Sequence, residues 1–393
     1  MVGLHYNLGM NMSIDATELL LADTQQELEK VANWLQSCQT VAVDTESNSL
    51  YVYYEKVCLL QFSSPQDNAL IDTLAFNDLS PLAPVFASAK IQKVFHAAEY
   101  DILCLKRDFA IEFNNIFDTL IASRILGRNN VGLGALIESE FGIHLEKKYQ
   151  KANWGIRPIS EDMLRYAVHD TDMLIDLKNK LEAELIEREL MDLAKEDFER
   201  ICKTHAGCSE PEPTNWWRVA GNNHGLDLQQ IAMLQELCEW RERLAQKLNV
   251  PVFKVIQNNV LLELCQNPPQ NESELNEIKG IRKLLREKYG KSLLKILRNQ
   301  NRDIEAVPNP VKTKVPSQAS LNRREALKNW RKSTGIKYKV PSDIILPRDI
   351  MEIIISKNPK NEEQIKRIMT DIPWRYNRFA AEILSVLEKQ GQG

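Results

Sequence analysis

A repeat in the second half of the chain constrains its fold more than any other feature. Trp240-Arg241 is followed ten residues later by Val250-Pro251, and Trp330-Arg331 is followed ten residues later by Val340-Pro341. Asn267-Pro268 is answered by Asn358-Pro359, and Leu275 and Ile278 map onto Ile365 and Ile368, so the register holds at 90 or 91 residues. Apolar positions recur together with turn residues, as two copies of one supersecondary unit require. Within the first copy, residues 227–248, 258–265, 272–279 and 281–299 carry helical periodicity and no strand pattern. The expectation is two small all-α domains, at residues 226–303 and 319–393.

The residues ahead of the repeat read differently. Short β-rich runs at 40–44 (TVAVD), 57–62 (VCLLQF), 69–72 (ALID) and 93–96 (KVFH) are bounded by turn residues. Residues 79–88 and 99–106 read as amphipathic helices, and 115–119 (NIFDT) as a short strand leading into a helix over 119–126. One long helix is expected from an N-cap at Ser160, with Glu161 and Asp162 in its first turn, through roughly Glu189. Residues 1–205 are thus expected to form an α/β domain whose sheet begins as a meander. Pro211, Pro213 and nearby glycines mark 206–225 as a linker, and Pro308, Pro310 and Pro316 mark 304–318 as a second.

No apolar run approaches the roughly 20 residues that span a bilayer. Met1 to Ile14 has no basic stretch followed by an apolar block, so a secretory signal is not expected and the cytoplasm is. Seven scattered cysteines without a CxxC pair fit reduced thiols. The net charge of −4 conceals an asymmetry: residues 308–393 carry 17 Lys+Arg against 9 Asp+Glu, or +8, which leaves −12 for the rest.

Asp44 and Glu46 end the apolar run that begins at Thr40, and alternate strand residues share a face, so the two carboxylates project together. Unpaired carboxylates in a partly buried place are costly, and a hard divalent cation offsets that cost. Asp101 ends Phe95-His96-Ala97-Ala98-Glu99-Tyr100-Asp101, in the first turn of a helix, where an acid also suits the helix dipole. Tyr166 and Asp170 lie four residues apart on one helix face. Each feature alone has an ordinary structural explanation.

Their combination and order resemble the DEDD exonuclease superfamily, and within its tyrosine branch the ribonuclease D family. The resemblance covers nearly the whole chain. It extends to Phe117-Asp118-Thr119, to the loop 147–160 (KKYQKANWGIRPIS), and to the repeated modules, which resemble the helicase and RNase D C-terminal (HRDC) domain. Two departures stand out. Asn153 occupies a position before Trp154 where the family usually has Asp, and the second module fits the HRDC pattern less well than the first.

The resemblance implies an RNase H-like mixed-sheet exonuclease domain followed by the two helical domains. It implies Asp44, Glu46, Asp101 and Asp170 as ligands of two Mg²⁺ or Mn²⁺ ions, Tyr166 orienting the attacking water, and 3′–5′ hydrolysis of RNA with a free 3′ end. tRNA precursors are the implied substrates; a monomer without membrane partner or small-molecule cofactor is expected. The residues themselves offer Trp154 for stacking, with a local packing anchor as the equal alternative, and Arg157 for a phosphate contact. They also offer a basic stripe over 282–302, led by Arg282, Lys283 and Arg286, which Arg323, Arg324, Lys328, Arg331, Lys332, Lys337 and Lys339 would extend into the second module. Trp240 and Trp330 recur at core-like positions and read as packing anchors. Two rivals stay open on the residues alone: a DNA-directed 3′–5′ exonuclease, and a non-catalytic nucleic-acid-binding protein on the same fold.

Overall fold

The computed structural model describes residues 18–205, 214–221, 225–305, 307–308 and 317–389. Six strands, β1 (Glu18–Ala22), β2 (Thr40–Ser47), β3 (Val57–Ser63), β4 (Asp67–Ile71), β5 (Gln92–Phe95) and β6 (Ile116–Asp118), form one sheet in the order β1-β4-β3-β2-β5-β6. The meander β2-β3-β4 is antiparallel, whereas β1 joins β4 and β5 and β6 join β2 in parallel. The mixed-sheet α/β expectation is met. Within residues 1–205 the first element expected was the strand at 40–44; the structure places β1 and α1 (Gln25–Ser37) ahead of it. Their signal was present in the Thr24–Glu27 capping box and in Leu28, Val31, Ala32 and Leu35, the buried stripe of α1.

The helices after β4 are α2 (Ala83–Ala87), α3 (Glu99–Phe109), α4 (Thr119–Ile125), α5 (Leu133–Phe141), α6 (Glu161–His169), α7 (Leu174–Glu187) and α8 (Met191–Cys202). The single long helix expected from Ser160 is two, α6 and α7, parted at Asp170. No glycine or proline marks the break. Its cause lies in the sheet: Leu59 and Leu60, neighbours on β3, point to opposite faces. α6 packs with Leu59 through Leu164, Ala167 and Val168, while Leu174, Leu177 and Leu181 of α7 join the core that holds Leu60. One straight rod could not serve both faces. Thr171 fixes the turn, its hydroxyl bonding the Val168 carbonyl at 3.2 Å and the Ser63 hydroxyl of β3 at 2.6 Å.

The repeat is real in three dimensions. The first module comprises α9 (Trp216–Ala220), α10 (Leu228–Leu248), α11 (Val252–Val255), α12 (Asn258–Gln266), α13 (Glu272–Glu277) and α14 (Lys283–Leu297). The second comprises α15 (Gln318–Tyr338), α16 (Ser342–Ile345), α17 (Arg348–Lys357), α18 (Glu362–Ile368) and α19 (Pro373–Lys389). Arg241 bonds the Ile256 carbonyl and Arg331, ninety residues on, bonds the Leu346 carbonyl. Asn271 and Asn361 cap α13 and α18 alike. Trp240 is buried and Trp330 half-buried, each bonded by its indole N–H inside its own module, as packing anchors should be. The expected linker at 206–225 contains α9, whose Trp216 and Val219 are buried in the first module. Residues 206–213 and 222–224 lie outside the described ones, as do 306 and 309–316 of the second expected linker.

By density of packing the described residues divide into two units, one from those of 1–47, 57–207 and 315–393, the other from those of 48–56 and 208–314. The second helical module therefore packs as part of the exonuclease unit. Ile344 is buried in that domain's main core, with Val340 and Trp374 packed against it. Arg375 is fully buried and bonds Glu196 at 2.5 Å and Asp197 at 2.7 Å on α8. Arg124 pairs with Asp343, Arg200 with Asp349 and Lys203 with Asp371. Gly127, at φ +75°, lies so close to the Lys339 carbonyl that a Cβ there would collide with it.

Among the described residues no helix is long and apolar enough to cross a membrane.

Candidate active site

The site forms where β2 and β5 part company. β5 pairs with Thr40–Ala42 only. Beyond Ala42 the strand β2 keeps β3 as its partner, with Asp44 opposite Gln61 and Glu46 opposite Leu59, before the register shifts after Glu46. On the other side the chain leaves β5 through Ala97, held at φ +65°, and enters α3. This turn is pinned by Asp118. Its buried carboxylate accepts the N–H groups of Ala97 and Ala98 at 3.2 and 2.8 Å, and those of Leu120 and Ile121 at 2.8 and 3.1 Å as the N-cap of α4. Asp101 thereby enters from the first turn of α3, 7% exposed, and takes a short hydrogen bond from the Thr45 hydroxyl. Asp118 and Thr45 position a carboxylate, a role sequence reading had given to neither.

Asp170 arrives as the C-cap of α6 and accepts a hydrogen bond from the Tyr166 hydroxyl. The carboxyls repel one another. Burial, then Asp101, Asp170 and Glu46, push the Asp44 carboxyl well above the ordinary range. Burial and the charges of Asp170 and Asp101 push Glu46 up to about 9. Burial raises Asp101 and Asp170 to about 7 each, against the hydrogen bonds from Thr45 and Tyr166. The Tyr166 hydroxyl is itself pushed up, by burial and by the acids beside it, so it stays protonated at neutral pH.

Sequence reading's five residues are thus brought together. Among the described residues no three acidic, histidine or cysteine side chains already close around one point as a finished metal cage would. The donor set still fits hard divalent cations, being all oxygen, buried and mutually repelling, a cost that a cation relieves. A second observation agrees. Gln61, opposite Asp44 and on its face of the sheet, is fully buried with neither amide atom bonded to protein. A buried amide with no partner is rare, and beside carboxylates it suits water or an ion's hydration shell. A cleft of about 690 Å³, lined by Gln36, Thr40 and Lys90 among others, sits at the opposite end of β2 and β5 and has no part in this.

Two expectations need correction. Trp154 is 1% exposed, tilted against Tyr166 with ring centres 6.1 Å apart, in the cluster of Leu59, Leu70 and Leu164. It offers no face to a base. Arg157 bonds Asp72 through Nε and Nη2 at 2.6 and 2.5 Å, the carbonyls of Trp154 and Ile156 through Nη1, and that of Cys58 through Nη2. A guanidinium has five N–H donors, and all five are spent on holding the loop. Both residues carry the chemistry of a contact, but the loop that bears them is packed down. Asn153 accepts the Gly155 N–H at 3.1 Å, a turn-closing bond that either amide or carboxylate oxygen can make.

The basic stripe divides by residue type. Arg282, Arg286 and Arg298 bond the backbone carbonyls of Lys254 in α11, Asn276 in α13 and Gln270, and Arg302 those of its own helix end. Lys283, Lys288, Lys291 and Lys295 stay exposed. In the second module Arg323, Arg324 and Arg331 are likewise tied to Ile355, Glu352 and Leu346.

Comparison with known proteins adds to this geometry. Residues 20–186 match the family described as 3'-5' exonuclease, and 230–297 and 320–387 each match the HRDC domain. The chain is 30% identical over 320 residues to the exosome complex exonuclease RRP6 of Saccharomyces cerevisiae, covering 78% of this chain and 43% of that one. It is 27% identical over 376 residues to the ribonuclease D of Nitrobacter hamburgensis, covering 95% of each. The structure of Escherichia coli RNase D matches with a TM-score of 0.67 at 23% identity, over 94% of this chain and 98% of that one, which speaks to the fold. The chain spans about half or less of the length of several curated relatives that it matches.

Proposed function

The chain belongs to the ribonuclease D family, an exonuclease domain followed by two HRDC domains, and from that premise we propose that it is a metal-dependent 3′–5′ exoribonuclease. The observation that carries the reading is the convergence of Asp44, Glu46, Asp101 and Asp170 from three separate elements, with the Tyr166 hydroxyl on Asp170. Those four carboxylates would hold two Mg²⁺ or Mn²⁺ ions. Bound there, the cations would supply positive charge to the scissile phosphate and to its departing oxygen.

The remaining chemistry belongs to the chain. Water attacks phosphorus, the bond to the 3′ oxygen of the preceding nucleotide breaks, and a nucleoside 5′-monophosphate leaves. Tyr166 remains protonated and donates to Asp170, so its oxygen is free to accept a hydrogen bond from the attacking water and orient it. It positions and does not deprotonate. The rings of Trp154 and Tyr149, 6.1 and 5.8 Å away, hold the tyrosine in place. Structured RNAs, with tRNA precursor 3′ ends foremost, are the proposed substrates, and the exposed lysines of α14 their phosphate track.

Asp44→Ala should abolish metal-dependent hydrolysis of an RNA oligonucleotide and leave the melting temperature of the metal-free protein equal or higher. Tyr166→Phe should retain metal and RNA binding and lose rate. Hydrolysis of the matched DNA oligonucleotide at the same rate would refute the preference for RNA, and turnover by Asp44→Ala would refute the site.

A further inference from the structure

His96 heads the run that delivers Asp101. One residue later Ala97 turns the chain out of β5 at φ +65°, a conformation that a residue with a Cβ keeps only where its neighbours enforce it. Asp118 enforces it by accepting the N–H groups of Ala97 and Ala98. The ring of His96 holds the chain just before the turn. Its Nδ1 stands 2.9 Å from the hydroxyl of Thr119, a fully buried residue at the start of α4, and that hydroxyl lies 3.0 Å from the Phe95 carbonyl. The imidazole also bonds the Val131 carbonyl, and burial pushes it down to about 4 in spite of that bond. It is therefore neutral at pH 7, with one N–H and one acceptor. The Val131 carbonyl can only accept, so the N–H goes there and Nδ1 is left for Thr119.

Val131 lies in the loop 126–132 between α4 and α5, and the other end of that loop meets the second helical module. Gly127 abuts the Lys339 carbonyl of that module. The next residue, Arg128, pairs with Glu140 of α5 at 3.1 Å and with Glu184 of α7 at 2.6 Å. Only Asn129 and Asn130, both exposed, separate this fixed end from Val131. So short a span, held at both ends, passes a displacement on instead of absorbing it.

We propose that His96 is a positioning residue for the exonuclease site: it clamps the loop 126–132 to the turn that carries Asp101, and so couples docking of the second module to metal binding by Asp101. A neutral ring does this without adding a cation that would compete with the metals for the carboxylates. The inference rests on the reading of the four carboxylates as a metal site.

The test titrates the full chain with Mn²⁺ alone, without RNA, and follows free Mn²⁺ by electron paramagnetic resonance. His96→Ala should weaken Mn²⁺ binding roughly tenfold, the low end of what losing support behind a metal ligand costs. It should lower kcat on an RNA oligonucleotide and leave KM within about twofold. His96→Gln, whose amide again offers a donor and an acceptor, should restore most of both; His96→Phe, which fills the space and bonds neither partner, should not. Arg375→Ala, which loosens the docked module, should weaken Mn²⁺ binding roughly threefold when His96 is present and leave it unchanged in the His96→Ala background. Rescue by Phe as good as rescue by Gln would reduce His96 to packing and overturn the proposal. So would an Mn²⁺ affinity that Arg375→Ala leaves unmoved, or lowers by the same factor with and without His96. If Mn²⁺ binding responds as stated but the unaltered chain hydrolyses no RNA, the proposed function fails and the clamp stands. If the unaltered chain hydrolyses RNA and His96→Ala binds Mn²⁺ equally well, the clamp fails and the function stands.

Discussion

Replacing Arg375 by alanine should detach the second helical module from the catalytic domain. The guanidinium is fully buried, and its partners Glu196 and Asp197 are 3% and 13% exposed. It also bonds the Ile344 carbonyl at 2.9 Å, while Glu196 takes the Trp374 N–H at 2.7 Å. Burial raises the Glu196 carboxyl more than the Arg375 charge lowers it. The intact group is therefore only a modest net stabiliser, yet its rupture is expensive, because Glu196 is left buried and uncompensated. Removing one partner of a buried ion pair costs about 3–5 kcal/mol. At about 2 °C per kcal/mol for a cooperative unit of this size, the melting temperature should fall by roughly 6–10 °C. Arg375→Met with Glu196→Gln should recover part of that, since one fewer charge is stranded. Differential scanning calorimetry of the three proteins decides it. A fall below about 2 °C for Arg375→Ala, or no recovery in the double variant, would refute the argument that the pair fastens the module.

Other outcomes follow from the same geometry. Gln61→Met removes two unbonded buried polar atoms, so the metal-free protein should melt higher while hydrolysis slows; a melting point lowered together with intact activity would show that Gln61 serves only packing. Metal binding should release protons, because Glu46 is raised to about 9 and Asp101 and Asp170 to about 7 in the metal-free protein. Apparent affinity for Mn²⁺ should thus rise from pH 6 to 9 (~3 units spanning these values), and the calorimetric heat should vary with the buffer's ionisation enthalpy. Since raised carboxyl pKa values stabilise the folded metal-free protein fully only below the unfolded value of about 4, its stability should be lost as pH rises through 7 to 9, and added metal should cancel that loss. Trp154→Ala should cost about 3–5 kcal/mol of stability, the range for emptying a large buried aromatic site; weakened RNA affinity with an unchanged melting temperature would restore a substrate role to it.

What the sequence determined by itself was whatever local pattern encodes. The tandem modules were legible because the same turn and core residues recur at a fixed spacing; β2 sets Asp44 and Glu46 on one face and a helical turn sets Tyr166 beside Asp170, but Asp101 joined them only through the order of the motifs and the family resemblance which that order carries. Tertiary structure decided the rest. Ser160 announced where a helix begins, but only the need to cover both faces of β3 broke it at Asp170. Trp154 and Arg157 had the chemistry of RNA contacts until packing buried one and Asp72 and three carbonyls saturated the other. The two modules looked equivalent along the chain. Arg375 found Glu196, nearly 180 residues earlier in sequence, and Tyr53 found Glu242 across 189; burial and partnership at such separations depend on how surfaces meet, which no local period or composition records.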